Sequence, residues 1–185
     1  SSSSAASDVY KRQFLGWRGI RITLDHPELF LVQVRAMMRA DDKLDNLNIL
    51  LPMITHVAEL DEALKLINRA YNELLEEGQQ ITKPRIGVMI EVPSAVFLAD
   101  RLAQRADFLS IGTNDLTQYL LAVDRNNSRV AALYDALHPA VVHAVNETIQ
   151  AAHRVGKPVS VCGEMAGDPA AALLLIGMGI DSLSM

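Results

Sequence analysis

Short apolar runs recur along this chain, each ending abruptly in polar or glycine-rich residues, and longer segments with helical spacing of apolar positions separate them. The runs fall at 47–54, 85–93, 108–111, 159–162 and 182–185. They are short, and the run at 85–93 is apolar on both faces, as expected of strands in a parallel sheet covered by helices. Between them, Asp25 starts a predicted helix: Glu28 three residues on completes an acidic variant of the capping box, and Pro27 sits in the first turn, where its missing N–H does no harm. Leu29, Val32 and Met37 give that helix an apolar face.

A second helix is expected from about Glu59 to Glu77, with Leu60, Ala63, Leu64, Ile67, Tyr71 and Leu74 on one side and Gly78 as its stop. Ser94 is placed to cap a third, whose Val96, Phe97, Ala99, Leu102 and Ala103 face inward. Pro139 opens a fourth that Gly156 closes, and Pro169 begins a fifth. Residues 14–21 look like a loop with Trp17 as a buried anchor and with Arg18 and Arg21 either solvated or available to an anion. Residues 1–13 carry no apolar periodicity and are expected to be a tail foreign to the fold.

Strands alternating with helices give right-handed crossovers, so every strand ends on the same face of the sheet. That face carries ligands both in a (β/α)8 barrel and in an open doubly wound sheet. No glycine-rich dinucleotide fingerprint follows the first strand, which favours the barrel. Five strands cannot close one. The expectation is therefore an α/β fold, a partial (β/α)8 TIM barrel of about five of the eight strand–helix units, occupying residues 14–185.

Composition narrows the setting. A chain of 185 residues, 50% of them hydrophobic, can bury a sizeable core. Its formal net charge of −5 argues against nucleic acid as a partner. No apolar stretch reaches the roughly 18 residues a membrane span needs. The single cysteine excludes an internal disulfide and suits a reducing, cytoplasmic setting.

Polar residues gather at the strand ends: Glu91, the pair Asn114–Asp115 and Cys162. Each has an ordinary explanation. Acids and amides at strand–helix junctions cap helices, and cysteine packs as a small hydrophobe. Together they have a chemical one. Glu91 and Asp115, sparse hard oxygen donors, suit Mg²⁺. A pair of glycosidase carboxylates is the competing reading, but Arg125 and Asn114 nearby favour an anionic substrate. Cys162, mostly protonated as a free thiol at neutral pH, is suited to give up a proton. The five histidines are scattered over loops and helices, none at a strand end, and read as surface or capping residues.

Six segments in order resemble a known family: Leu15-Gly16-Trp17-Arg18, Leu51-Pro52-Met53-Ile54, Val88-Met89-Ile90-Glu91-Val92-Pro93, Ser110 to Tyr119, Ala122-Val123-Asp124-Arg125-Asn126, and Cys162-Gly163-Glu164-Met165-Ala166-Gly167-Asp168. The family is the phosphoenolpyruvate-utilising enzymes, and within it enzyme I of the bacterial phosphotransferase system, a phosphoenolpyruvate-protein phosphotransferase. The resemblance implies phosphoenolpyruvate on Mg²⁺ held by Glu91 and Asp115, with Asn114, Arg125 and Arg18 on the phosphate. It implies Cys162 as the acid that protonates the enolate to give pyruvate. It also implies a phosphoryl-carrying histidine in a separate swivelling domain, a phosphocarrier protein as the next acceptor, and a homodimeric parent.

None of the chain's histidines lies in a matching motif, and two further substrate arginines of the family belong to barrel strands not represented here. The segments Asp25-His26-Pro27-Glu28 and Asp124-Arg125-Asn126-Asn127 resemble the nitrogen-related branch. Pyruvate phosphate dikinase, phosphoenolpyruvate synthase and a non-catalytic phosphoenolpyruvate sensor are the alternatives that share the barrel.

Overall fold

The structure is a computed structural model, and it describes residues 15–41 and 44–184. The expected tail at 1–13 lies outside the described residues, as do Phe14 and Met185. Five strands form one sheet: β1 (Asn48–Leu51), β2 (Arg85–Ile90), β3 (Phe108–Gly112), β4 (Val159–Cys162) and β5 (Ser182–Ser184). Their order is β1-β2-β3-β4-β5 and every pair is parallel. An order that never reverses has no switch point, so right-handed crossovers place all the helices on one face, as in a barrel wall rather than a doubly wound sheet.

The helices are α1 (Ile20–Asp25), α2 (Pro27–Ala40), α3 (Val57–Glu76), α4 (Pro93–Phe97), α5 (Ala99–Ala103), α6 (Thr113–Leu121), α7 (Pro139–Arg154), α8 (Glu164–Gly167) and α9 (Pro169–Gly177). Val88, Ile90, Leu109, Ile111, Val159 and Val161 alternate along the three central strands and are buried with Leu60, Ile67, Leu102 and Ile149 of the helices in one core. The residues between them, Met89, Ser110 and Ser160, stand side by side in register on the opposite face. That face takes the polar side chains.

Several expected boundaries move, each for a local reason. β1 stops at Leu51 because Pro52 has no N–H for the ladder and Met53 turns the backbone to φ 62. Asp25 closes α1 rather than opening the next helix; α2 starts at Pro27 with His26 at the junction. Trp17 is not a buried anchor. It is 58% exposed; its Nε1 donates to Asp25 Oδ2 at 2.6 Å and its ring meets His26 edge-on. The helix after β2 is broken at Leu98, whose φ of −111° leaves the helical range and resets the face, so Phe97 points to solvent. Val92, not Ser94, precedes that helix, with Pro93 in its first turn.

The longer helices start where expected to within two or three residues. α3 begins with a reciprocal box in which His56 Nδ1 accepts the Ala58 N–H and the Glu59 carboxylate accepts the His56 N–H. At α7 the His138 Nδ1 accepts the Ala140 N–H without a return bond, and Asp168 caps α9. Gly78, at φ 79, follows α3 as its stop. No described helix is long and apolar enough to cross a membrane.

Candidate active site

β2 ends at Ile90, and the next side chain, Glu91, is 3% exposed. Its Oε1 accepts the Met53 N–H at 2.7 Å, which is what the left-handed turn after β1 accomplishes: it aims a backbone donor at this carboxylate. Burial pushes the Glu91 carboxyl up to about 7. The Met53 N–H pulls it down, the charge and hydrogen bond of neighbouring Asp115 push it up again, and Arg18 pulls it down. The two carboxyl groups are therefore close neighbours, within hydrogen-bonding reach of each other.

Gly112, last residue of β3, makes room for Glu91. A Cβ there would lie 3.0 Å from Glu91 Cβ and 3.2 Å from its Oε2. Its φ of −83° is ordinary, so clearance rather than a tight turn requires glycine. α6 then begins, and its first turn distributes three side chains. Thr113, buried, donates its Oγ1 proton to the Cys162 carbonyl at 2.9 Å. Asn114 Oδ1 accepts the Glu164 N–H at 3.1 Å, so its amide NH₂ is the end left to donate. Asp115 Oδ2 receives Arg18 Nη2 at 2.9 Å.

Arg18 also reaches the Tyr119 hydroxyl at 3.5 Å. Burial raises the Tyr119 phenol above its ordinary value, and the Asp115 charge adds to this. Arg21, the other arginine of that segment, is held on the Gly16 carbonyl instead. Arg125 lines a cavity of about 450 Å³ together with Asn114, Asn126, Tyr134 and Glu164. Its backbone N–H is anchored on Gln118 Oε1 at 3.1 Å.

Cys162 ends β4 opposite Gly112 in register, half-buried, with its thiol donating to the Ile111 carbonyl at 3.5 Å. The chain then turns at Gly163, φ 105°, under Thr113 and Asn114. A Cβ there would come within 2.7 Å of Thr113 Oγ1 and 2.9 Å of Asn114 Oδ1.

The structure thus joins Arg18, Asp115 and Glu91 directly, sets Asn114 and Arg125 on one cavity, and fixes Cys162 to the α6 start through Thr113. Met53, Thr113 and Gly163 are parts of the site that the sequence reading does not single out. Among the described residues no three His, Cys, Asp or Glu side chains form a metal-holding group. The protein donors on offer are the Glu91–Asp115 pair. Two abutting carboxyls, one of them buried and its pKa raised to about 7 by that burial, are a donor set that a divalent cation would fit, and so sparse a set of hard oxygens suits Mg²⁺.

The parallel barrel-type sheet carries acid, amide and thiol groups at and just beyond its strand ends, on the side where (β/α) barrels carry their ligands. The chain belongs to the family of phosphoenolpyruvate-utilising enzymes: the family model for their PEP-binding domain matches residues 9–185. Proteins named phosphoenolpyruvate-dependent phosphotransferase system from Salmonella typhimurium and Escherichia coli are each 60% identical over 172 residues, 92% of this chain and 23% of theirs. A phosphoenolpyruvate-protein phosphotransferase of Cupriavidus necator is 49% identical over 92% of this chain and 29% of its own length. The chain thus spans less than a third of the curated relatives it matches. A citrate lyase of Burkholderia xenovorans superposes with a TM-score of 0.62 at 24% identity, over 83% of this chain and 49% of that one, a likeness of fold alone.

Proposed function

We propose that this chain is the substrate-binding barrel portion of a phosphoenolpyruvate-protein phosphotransferase. The observation that carries the reading is Asp115, whose carboxylate abuts buried Glu91 on one side and accepts Arg18 at 2.9 Å on the other. Its neighbour Asn114 opens onto the Arg125 cavity. Carboxylates for a metal and cations for a phosphate are what an enol phosphate demands. The relatives' names supply the reaction class.

Glu91 and Asp115 would hold Mg²⁺, which when bound would supply positive charge against the phosphate and the developing enolate. Arg125 and the Asn114 amide bind and orient the phosphate, and Arg18 leaves Asp115 to join them. Cys162 gives its thiol proton to the enolate carbon, so pyruvate departs and the phosphoryl group is committed to a histidine of a swivelling domain, from which a phosphocarrier protein takes it. The working protein is a cytoplasmic homodimer. The barrel unit is assigned to residues 14–185.

The test grafts residues 15–184 in place of the matching segment of the full-length Escherichia coli relative. Phosphoenolpyruvate is then added with and without Mg²⁺, and phosphohistidine and pyruvate are measured. Mg²⁺-dependent formation of both is expected. Transfer that ignores the metal, or a Cys162→Ala chimera that makes pyruvate at the parental rate, contradicts the corresponding role.

A further inference from the structure

On the concave face of the sheet, Ser110 and Ser160 occupy paired positions of β3 and β4. Ser110 is a 5% exposed hydroxyl in an otherwise apolar strand, Phe108 to Ile111. Ser160 Oγ donates to Ser110 Oγ at 3.0 Å, and Ser110 Oγ donates to Cys162 Sγ at 3.7 Å. The thiol in turn donates to the Ile111 carbonyl at 3.5 Å. A serine hydroxyl has one proton and two acceptor pairs. With the Ser160 proton filling one acceptor pair of Ser110, the single Ser110 proton is directed at sulfur.

We infer that Ser110, oriented by Ser160, is a positioning residue for Cys162: its O–H donates to the sulfur and stabilises the thiolate left when the thiol gives up its proton. The inference rests on the proposed role of Cys162. In that step the S–H bond breaks, a C–H bond forms at the enolate carbon, and the electron pair stays on sulfur. The Ser110 hydroxyl meets that charge with a bond already aimed, so no reorganisation accompanies its appearance. Solvent returns a proton to sulfur afterwards. A hydrogen bond to a charged group is stronger than one to a neutral partner, so Ser110 acts more on the thiolate than on the resting thiol.

Cys162 is the only cysteine, so its reaction with iodoacetamide reports thiolate stability in the 185-residue chain itself. Ser110→Ala is expected to slow alkylation at fixed pH by about tenfold, and Ser110→Thr, which keeps the hydroxyl, to restore it. In the chimera, Ser110→Ala lowers kcat for pyruvate formation by about tenfold with KM for phosphoenolpyruvate unchanged. Ser160→Ala, at a half-buried position, leaves Ser110 in place and is expected to slow alkylation about threefold, as one neutral hydrogen bond is lost.

Parental alkylation in a folded Ser110→Ala chain overturns the inference, and so does a loss that Thr fails to restore. If Ser110→Ala does not fold, parental alkylation in Ser160→Ala overturns it. A Cys162→Ala chimera at full rate sinks the acid role of the cysteine, whatever the serine variants do to alkylation, so the two failures are distinguishable.

Discussion

Arg18 Nη2 and Asp115 Oδ2 meet at 2.9 Å although 97 positions separate them. The guanidinium thereby occupies the carboxylate that a divalent cation would use. Arg18→Ala should bind Mg²⁺ alone about threefold more tightly, because a favourable competitor of roughly 0.6 kcal/mol is gone. The same variant should bind phosphoenolpyruvate with Mg²⁺ at least tenfold more weakly. Calorimetric titration of both ligands checks the pair of effects. If both affinities weaken, Arg18 supports the site structurally and does not compete for Asp115.

Glu91 makes stability depend on pH in a stated direction. Its ordinary value is 4.5 and burial raises it to about 7 in the folded chain. Between those values the folded state keeps a proton that the unfolded state has released, so stability falls as pH rises through that window, by roughly 3 kcal/mol in all. Glu91→Gln keeps an oxygen for the Met53 N–H and removes the buried charge. Its melting temperature at pH 8 should exceed the parent's by several degrees, while the two converge below pH 5. Mg²⁺ at pH 8 should stabilise the parent and not the variant. Melting curves across pH would show a flat difference if Glu91 did not titrate in this window.

Asn114→Asp separates structure from binding. The replacement keeps the shape and the oxygen that accepts the Glu164 N–H. It loses the amide donor and adds a negative charge facing the Arg125 cavity. Melting temperature should stay within about 2 °C of the parent, in line with a change of under 0.5 kcal/mol. Phosphoenolpyruvate affinity in the chimera should fall by about a hundredfold. Retained affinity would move the phosphate away from Asn114.

Gly163→Ala combines a backbone that side chains rarely adopt, φ 105°, with overlap on Thr113 Oγ1 and Asn114 Oδ1. A cost of about 1–3 kcal/mol is expected in urea unfolding. Turnover should drop further than stability alone explains, since the Thr113 bond to the Cys162 carbonyl is displaced. Gly78→Ala, left-handed with open space around it, should cost only the backbone part, about 1 kcal/mol, without loss of turnover.

The fold was legible because it rests on long-range repetition: apolar runs separated by helical spacing survive small errors at every boundary. The strand-end residues were legible for a related reason, since a carboxylate or thiol closing an apolar run stands out against its neighbours. The misjudged positions depend on single backbone angles. Leu98 interrupts a helix and turns Phe97 outward. Met53 swings into the left-handed region with no glycine or asparagine to announce it. Trp17 follows the average burial of its residue type in sequence, yet here it bonds Asp25 at the surface. Ser110 reads as an interruption in an apolar strand, and only the register with Ser160 and the distance to Cys162 give it a purpose.

Each strand of the sheet pairs only with its neighbours in the chain. Glu91, the run from Gly112 to Asp115, and Cys162 with Gly163 consequently come from three successive strand–helix units, with Arg18 and Met53 reaching in from the preceding segment. Such a block can be handled as a cassette. Recombination within this family of barrels at the loop after α3 would carry most of the chemistry across intact; the contacts to rematch at that seam include the Arg18 guanidinium with Asp115 and Tyr119, the Met53 amide with Glu91, and the β1–β2 ladder.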